Sequence, residues 1–249
     1  MLNQFMRYVP LSRLVREAAD GPVLEVGSGP DGLAKYLPGV MVTGVDPKFA
    51  GERRGGPANL APLAASALAL PFGDGQFSVA VCGDTLEHLP AGDRETAVRE
   101  LCRVASRKVF LSFPVRETHE RWERRLDAAY RFLGVPRPDW LEEHRAFGLP
   151  SEAEVSAALR RSGLVFRVLP NENNLVHLLL MLAELTFLLP WLNFISDILA
   201  PDRWDPSGRS WKARLARPLL APLRALPDLL TFGSPVRKIF IIEKGAPGA

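Results

Sequence analysis

The chain has few of the residues that build disulfide scaffolds, cysteine metal centres or nucleic-acid interfaces. Its 249 residues include two cysteines, Cys82 and Cys102, too few for a disulfide framework or a cysteine zinc site. Both lie in apolar surroundings, which predicts buried free thiols in a reducing compartment. The net charge is only +3, and no stripe of aromatic and basic residues is evident. We therefore expect no nucleic-acid partner.

A secretory signal is also lacking at the N-terminus. The first 20 residues contain no unbroken apolar run ahead of a small-residue cleavage site, which predicts a cytoplasmic protein. Apolar residues make up 47% of the chain and charged residues 24%, as in an ordinary globular protein with one sizeable core. We expect a single domain over 1–249.

Short β-rich runs alternate with helical segments along the chain. The predicted helices cover 3–19, 33–37, 94–104 and 117–133, and a further helix begins after Ser151, where Glu154 completes a capping box. The predicted strands are 23–26, 41–45, 60–65, 79–82, 109–113, 164–168 and 237–243. Pro62 makes the third segment either an edge strand or a broken strand. This alternation predicts a doubly wound α/β fold with a mostly parallel sheet.

Two connections are longer than such folds normally need. One spans 115–150, after the fifth strand, and the other spans 171–235, between the last two strands. Because long insertions usually carry function, we expect both to be helical and to lie on the substrate side.

The first strand ends in a glycine turn suited to a nucleotide cofactor. Gly27, Gly29 and Gly32 allow close approach of the backbone, and Asp46 follows the second strand about twenty residues on, where a carboxylate can accept ribose hydroxyls. The glycines also fit a dinucleotide fingerprint, which by itself does not choose between cofactors. Glu25 lies where a dinucleotide site keeps an apolar residue. A carboxylate there can reach the amino-acid end of S-adenosylmethionine.

A family resemblance follows from the next motifs. The run Leu-Pro-Phe-Gly-Asp-Gly-Gln-Phe at 70–77, the strand after it, and Asp-Thr-Leu-Glu-His-Leu at 84–89 resemble the class I S-adenosylmethionine-dependent methyltransferases grouped with the ubiquinone and menaquinone biosynthesis methyltransferases (methyltransferase type 11 domain). The run 238–244 resembles the seventh strand of that fold, which enters antiparallel. The resemblance implies a seven-stranded, Rossmann-like sheet with S-adenosylmethionine as cofactor, and it places a shortened, glycine-rich second helix over 48–58.

The resemblance also implies roles for individual residues. Gly27 and Gly29 would hold the methionine portion of the cofactor, and Asp46 would hold the ribose. Ser66 and Ala67 match a pair that contacts adenine. Asp84, after the fourth strand, matches a residue that lines the mouth where the methyl group is transferred.

Three histidines are candidates for a catalytic base. His88 and His119 follow predicted strands, whose carboxyl ends build active sites in this fold, and His144 precedes the capping-box helix. Each could instead pack or bond within a loop. No set of residues has the spacing of a metal site, so we expect no metal.

The insertion between the last two strands is apolar over 175–200 and carries arginines over 211–230. One membrane crossing would separate strands 164–168 and 237–243, which belong to one sheet. The segment 175–230 could be a buried cap, a homodimer interface, or a peripheral contact with the inner face of the membrane. The last alternative favours a lipid-linked acceptor.

The sequence therefore predicts an S-adenosylmethionine-dependent methyltransferase that acts on a small or lipid-linked acceptor. The alternative is a catalytically silent relative that serves as a binding or scaffold protein. An oxidoreductase is disfavoured by Glu25.

Overall fold

The computed structural model describes residues 2–51, 56–184, 225–231 and 233–244. Its strands are β1 (Val23–Val26), β2 (Val42–Val45), β3 (Leu60–Leu63), β4 (Phe77–Gly83), β5 (Ala105–Pro114), β6 (Val165–Asn173) and β7 (Pro235–Glu243). Its helices are α1 (Leu2–Ala18), α2 (Arg94–Val104), α3 (Arg116–Phe132), α4 (Asp139–Phe147), α5 (Glu152–Arg161), α6 (Asn174–Glu184) and the single turn α7 (Leu226–Leu229).

The seven strands form one sheet in the order β3-β2-β1-β4-β5-β7-β6. Strands β1 to β5 pair in parallel, and β7 lies antiparallel between β5 and β6. This confirms the predicted doubly wound, mostly parallel sheet and its antiparallel last strand. Pro62 lies in the edge strand β3, as its missing N–H group requires.

Helices cover both faces of the sheet, so the central strands are buried on both sides. All seven residues of β4 are buried. On one face, Leu11 and Val15 of α1 pack against Val81. On the other, Leu101 of α2 and Leu159 of α5 pack against the sheet. Both cysteines are buried and free, as predicted.

Helix α5 begins at the predicted capping box. The Ser151 hydroxyl accepts hydrogen bonds from the backbone N–H groups of Ala153 and Glu154, and the Glu154 side chain accepts one from the Ser151 N–H. The Ser151 hydroxyl also donates to Glu117 at the start of α3. The cap therefore joins two helices as well as starting one.

Three elements differ from the sequence prediction. Strand β6 continues past 168 to Asn173, although Pro170 and the polar residues after it do not look like a strand. The predicted helix 33–37 is a 3-10 turn, Leu33–Tyr36. Of a short helix expected over 48–58, the described part contains only the 3-10 turn Pro47–Ala50.

The first insertion contains α3 and α4. The second begins with the end of β6 and with α6, while most of the predicted apolar and basic segment (185–224) lies outside the described residues. In the part of the chain that is described, no helix is both long and apolar enough to cross a bilayer.

Candidate active site

The glycine turn after β1 leaves room for a ligand. Gly27 and Gly29 have φ angles of +75° and +57°, which residues with a side chain rarely adopt. The N–H of Gly27 donates to the carbonyl of Val45, at 2.8 Å. A Cβ atom at Gly27 would lie 1.9 Å from Thr85 Oγ1, whereas one at Gly29 would meet nothing within 4 Å. Gly27 therefore permits close packing, and Gly29 faces open space.

Asp46 is fixed against this turn by two backbone groups. Its Oδ2 accepts a hydrogen bond from Gly29 N at 3.0 Å, and its Oδ1 accepts one from Lys48 N at 2.8 Å. Each carboxylate oxygen can accept a further hydrogen bond. Asp46 thus lies half-buried beside the glycine turn, and its contact with the ribose stays a prediction.

Glu25 is completely buried in β1. Its Oε2 accepts a hydrogen bond from Leu33 N at 2.8 Å. Its Oε1 makes no hydrogen bond of normal geometry, although the hydroxyls of Ser28 and Tyr8 lie close to the carboxylate. Burial raises the pKa of Glu25 to about 7, so a cationic group bound beside it would favour the ionised form.

Ser66 and Ala67 follow β3, and Asp46 follows the parallel strand β2, so all three lie at the carboxyl end of the sheet. Ser66 is exposed, and its hydroxyl accepts a hydrogen bond from Leu68 N at 3.2 Å. Ala67 is buried. Their predicted contact with adenine stays a prediction.

Asp84 directly follows β4 and has a left-handed backbone conformation, with φ +48°. Arg7 of α1 donates to its Oδ2 at 2.8 Å, and Arg237 of β7 donates to both oxygens from Nε, each at 2.8 Å. Burial alone would raise the pKa of Asp84, but the two guanidinium groups hold it well below its usual value. Asp84 is therefore an ionised carboxylate at neutral pH.

Arg237 joins Asp84 to a second strained carboxylate. Glu172 of β6 also has a positive φ, +60°, and its buried carboxylate bonds to Arg237 and to Nδ1 of His177. Among the described residues, Asp84 and Glu172 are the non-glycine positions with positive φ, and both bind the same arginine. Strain of this kind persists where surrounding bonds over-determine the backbone, and it concentrates at functional sites.

All four histidines of the sequence line one cavity of about 310 Å³. The cavity lies at the carboxyl ends of β4 and β5, under α1, α3, α4 and α6. Its wall is formed by acidic, basic and aromatic side chains in addition to the histidines. The other lining residues include Asn3, Gln4, Arg7, Asp84, Glu87, Glu123, Tyr130, Trp140, Met181 and Arg237.

The structure thus brings together the three predicted catalytic histidines. Nδ1 of His88 bonds Glu143 at 2.6 Å, and Nδ1 of His144 bonds Glu123 at 2.6 Å. Nδ1 of His119 bonds Asn174. Burial, and then the neighbouring His177, lower the pKa of His119 to about 3. His119 is therefore neutral at pH 7 and a weak base, which argues against it as the general base.

Sequence reasoning missed Arg7, Glu172 and Arg237. Glu172 and Arg237 are charged residues in strands that reach the core, and Arg237 and Lys238 directly precede the apolar run 239–242. A buried charge needs a partner, so this position carried a usable signal. Arg237 lies 65 positions from Glu172 and 153 positions from Asp84 in the sequence. No local sequence pattern shows contacts over such distances.

The glycine turn and the cavity touch through consecutive residues. Thr85 lies against Gly27, and its hydroxyl donates to the carbonyl of Val26, while Asp84 lines the cavity. On α1, Tyr8 lies next to Glu25 and Arg7 reaches Asp84. The two predicted binding regions are therefore adjacent parts of one site.

Comparison with known families agrees with this geometry. Residues 24–113 match the model of the methyltransferase domain family, a segment that contains Glu25, Gly27, Gly29, Asp46 and Asp84. No curated protein matches the chain.

Solved structures share the fold over nearly the whole chain. A SAM-dependent methyltransferase from Thermotoga maritima, described as a possible histamine N-methyltransferase, is 15% identical and covers 97% of this chain and 89% of its own, with a TM-score of 0.53. The cyclase SpnF is 17% identical and covers 95% of this chain and 80% of its own, also at 0.53. A protein from Galdieria sulphuraria, proposed to be a sarcosine dimethylglycine methyltransferase, is 14% identical over 98% and 86%, at 0.52. At these identities the likeness establishes the fold, which is the Rossmann-like fold of class I methyltransferases.

The residues present fit S-adenosylmethionine as cofactor. Gly29 faces open space, Asp46 presents two fixed carboxylate oxygens, and the buried Oε1 of Glu25 lacks a hydrogen bond of normal geometry. The family match over this segment supports the same cofactor. The match is to the methyltransferase domain as a whole, so the ubiquinone and menaquinone subgroup stays a prediction.

Proposed function

We propose that the chain transfers the methyl group of S-adenosylmethionine to an acceptor bound in the histidine-lined cavity. The observation that carries this proposal is the adjacency of Thr85, packed on the glycine turn, and Asp84, which lines the cavity. A cofactor held at the turn would have its methyl group near the cavity mouth.

The bound cofactor supplies an electrophilic methyl group, and the protein has to align the acceptor with it. In this proposal Gly27, Gly29 and Asp46 hold the cofactor, and Glu25 accepts a hydrogen bond from its amino group. Arg7 and Arg237 keep Asp84 ionised and fixed at the junction of the two regions. The cavity walls then position the acceptor, so most of the catalysis comes from orientation.

A small polar acceptor suits the described part of the cavity. Its walls carry imidazole, carboxylate and guanidinium groups, with Tyr130 and Trp140 as aromatic surfaces. A lipid-linked acceptor is the finer proposal. It is supported by the apolar composition of 175–200 and by Leu175 and Leu179, one turn apart on α6, whose side chains are exposed.

Calorimetric titration with S-adenosylhomocysteine tests cofactor binding directly. We expect binding by the wild-type chain and its loss in Asp46→Ala, because both oxygens that would hold the ribose are removed. Asp74→Ala is the matched control, since Asp74 is an exposed carboxylate paired with Arg103 and should leave binding unchanged. Tight binding of NAD without any response to S-adenosylhomocysteine would contradict the proposal.

A silent binding or scaffold protein is the second candidate. It is kept because a shared fold does not by itself define a reaction, as SpnF, which is named as a cyclase, illustrates. Transfer of radiolabel from S-adenosylmethionine to compounds of a cell extract separates the two candidates. Cofactor binding without any labelled product across aqueous and lipid fractions would favour the second.

A further inference from the structure

Three side chains of the cavity could together hold a metal ion. Glu87 and His88 belong to the 3-10 turn after β4 (Leu86–His88), and His144 belongs to α4. One potential ligand atom from each lies within 4.8 Å of the other two. The sequence spacing gave no hint of this group, because His144 comes from a separate insertion.

Two of these groups are buried without the bonds that burial normally requires. Glu87 is 1% exposed and His144 is 8% exposed. Oε2 of Glu87 and Nε2 of His144 have no hydrogen-bond partner among the described residues. A buried polar atom left unpaired is costly, so two such atoms in one cluster indicate a ligand that satisfies both.

Both histidines are also oriented as metal ligands usually are. Nδ1 of His88 faces a carboxylate oxygen of Glu143, and Nδ1 of His144 faces one of Glu123, each at 2.6 Å. Because a carboxylate accepts, Nδ1 is the donor in both rings, and in a neutral ring the lone pair is then on Nε2. Carboxylates that bond the far nitrogen in this way fix the tautomer and raise the basicity of ligating histidines.

We propose that Glu87, His88 and His144 bind a divalent transition-metal ion of the Zn²⁺ type, with its remaining coordination positions open to the cavity. Two imidazoles and one carboxylate are a ligand set that such ions accept with positions left free. An acceptor oxygen or nitrogen would complete the coordination beside Asp84. That second role rests on the proposed function, whereas binding of the ion does not.

Zn²⁺ titration of the chelator-treated full chain tests the site without any turnover. We expect one Zn²⁺ per chain, and Co²⁺ in its place should give visible absorption bands of a protein-bound ion. Glu87→Gln and His144→Gln should each weaken Zn²⁺ binding by more than about 100-fold, since even loss of an outer carboxylate costs roughly 10- to 100-fold. Glu143→Ala, which removes only the partner of His88, should fall within that smaller range.

His177→Gln is the matched control, because His177 lines the same cavity but lies outside the three-residue cluster. It should bind Zn²⁺ like the wild type. If the buried variants fail to fold, His88→Ala serves, since the side chain of His88 is 29% exposed. Wild-type protein that takes up no Zn²⁺ or Co²⁺, or ligand variants that bind Zn²⁺ as tightly as the control, would overturn the proposal. S-adenosylhomocysteine binding, measured separately, reports on the proposed function alone.

Discussion

Arg237 forms ion pairs with two buried or partly buried carboxylates of the site. Its guanidinium group bonds Asp84 and Glu172, and both carboxylates lie in strained backbone. The arginine is itself about 5% exposed and Glu172 is fully buried, so bulk water cannot replace the bond between them. Removing the arginine would leave two carboxylates in a poorly hydrated environment with a net negative charge.

Replacing Arg237 should therefore be costly for folding. We expect Arg237→Met to lower the free energy of unfolding by about 3–5 kcal/mol, the usual cost of breaking a buried ion pair from one side. Urea unfolding followed by circular dichroism measures this. Arg107→Met is the control, since Arg107 and Asp20 form an exposed pair with side chains 49% and 63% accessible. The control should change stability by no more than about 1 kcal/mol. If both variants lose the same unfolding free energy, the buried ion pairs of Arg237 stabilise the fold no more than an exposed pair does.

Glu25 should make stability depend on pH. Its pKa is raised from 4.5 to about 7 in the folded chain, so the folded state binds a proton more tightly than the unfolded state. This stabilisation is fully present below pH 4.5 and is lost as the pH rises through 7. Glu25→Gln lacks it, so the unfolding free energy of the variant relative to wild type should rise by up to about 3 kcal/mol between those pH values. Urea titrations of both proteins at pH 4.5 and pH 8 give this difference. A difference that does not change with pH would contradict the raised pKa.

Among the elements, the N-terminus of α5 connects the first insertion to the sheet, because α5 packs on the sheet and its first residues bond to α3 of the insertion. The Ser151 hydroxyl caps α5 and also donates to Glu117 of α3. Residue Asp93 stands at the corresponding position before α2 but makes no side-chain cap bond. Both residues are at the N-cap position of a helix, but only the Ser151 side chain makes a capping hydrogen bond. The two positions therefore form a matched pair.

Ser151→Ala should cost about 1–2 kcal/mol of unfolding free energy, because it removes the cap and the link to α3. Asp93→Ala should cost less than about 0.5 kcal/mol, as for a substitution away from such features. Thermal or urea unfolding of the two variants gives the comparison. If Asp93→Ala lowers the unfolding free energy as much as Ser151→Ala does, the hydrogen bonds of the Ser151 side chain are not the cause of the loss.

The elements also show which parts of the molecule could be predicted from sequence. Strands such as β1 and β4 are short apolar runs next to glycines, and the residues that would hold the cofactor lie within or just after them, so local patterns located Glu25, Gly27 and Asp46. The sequence does not predict the end of β6 because Pro170 and Asn171 are untypical of strands, and the pairing of this segment with β7 overrides local preference. The acceptor side was predicted only as separate histidines. Its assembly depends on Arg237, whose partners are far away in sequence.

For the whole molecule, the proposed contact with a membrane surface follows from the sequence of 175–230. Arginines near an anionic surface contribute about 1 kcal/mol each. Changing Arg214, Arg217 and Arg224 together to glutamine should therefore weaken binding to anionic liposomes by roughly 100-fold, at about 1.4 kcal/mol for each factor of ten. Flotation in a density gradient measures this, and neutral liposomes are the control. S-adenosylhomocysteine affinity should stay unchanged. If the wild-type protein does not float with anionic liposomes, the membrane contact is wrong, and the segment 175–230 is a buried cap or a dimer interface.

The position of β7 between β5 and β6 sets an order of events for a chain made from one end to the other. When β6 emerges, the strand it pairs with does not yet exist, so β5 is a long edge strand and β6 has no place in the sheet until residues 235–243 arrive. Arg237 arrives with them. Asp84 and Glu172 therefore remain without this partner until the last strand inserts, and the acceptor cavity is completed only then. A nascent chain arrested before residue 235 should hold the β1–β5 region with an exposed edge, the kind of surface that recruits chaperones or other strands.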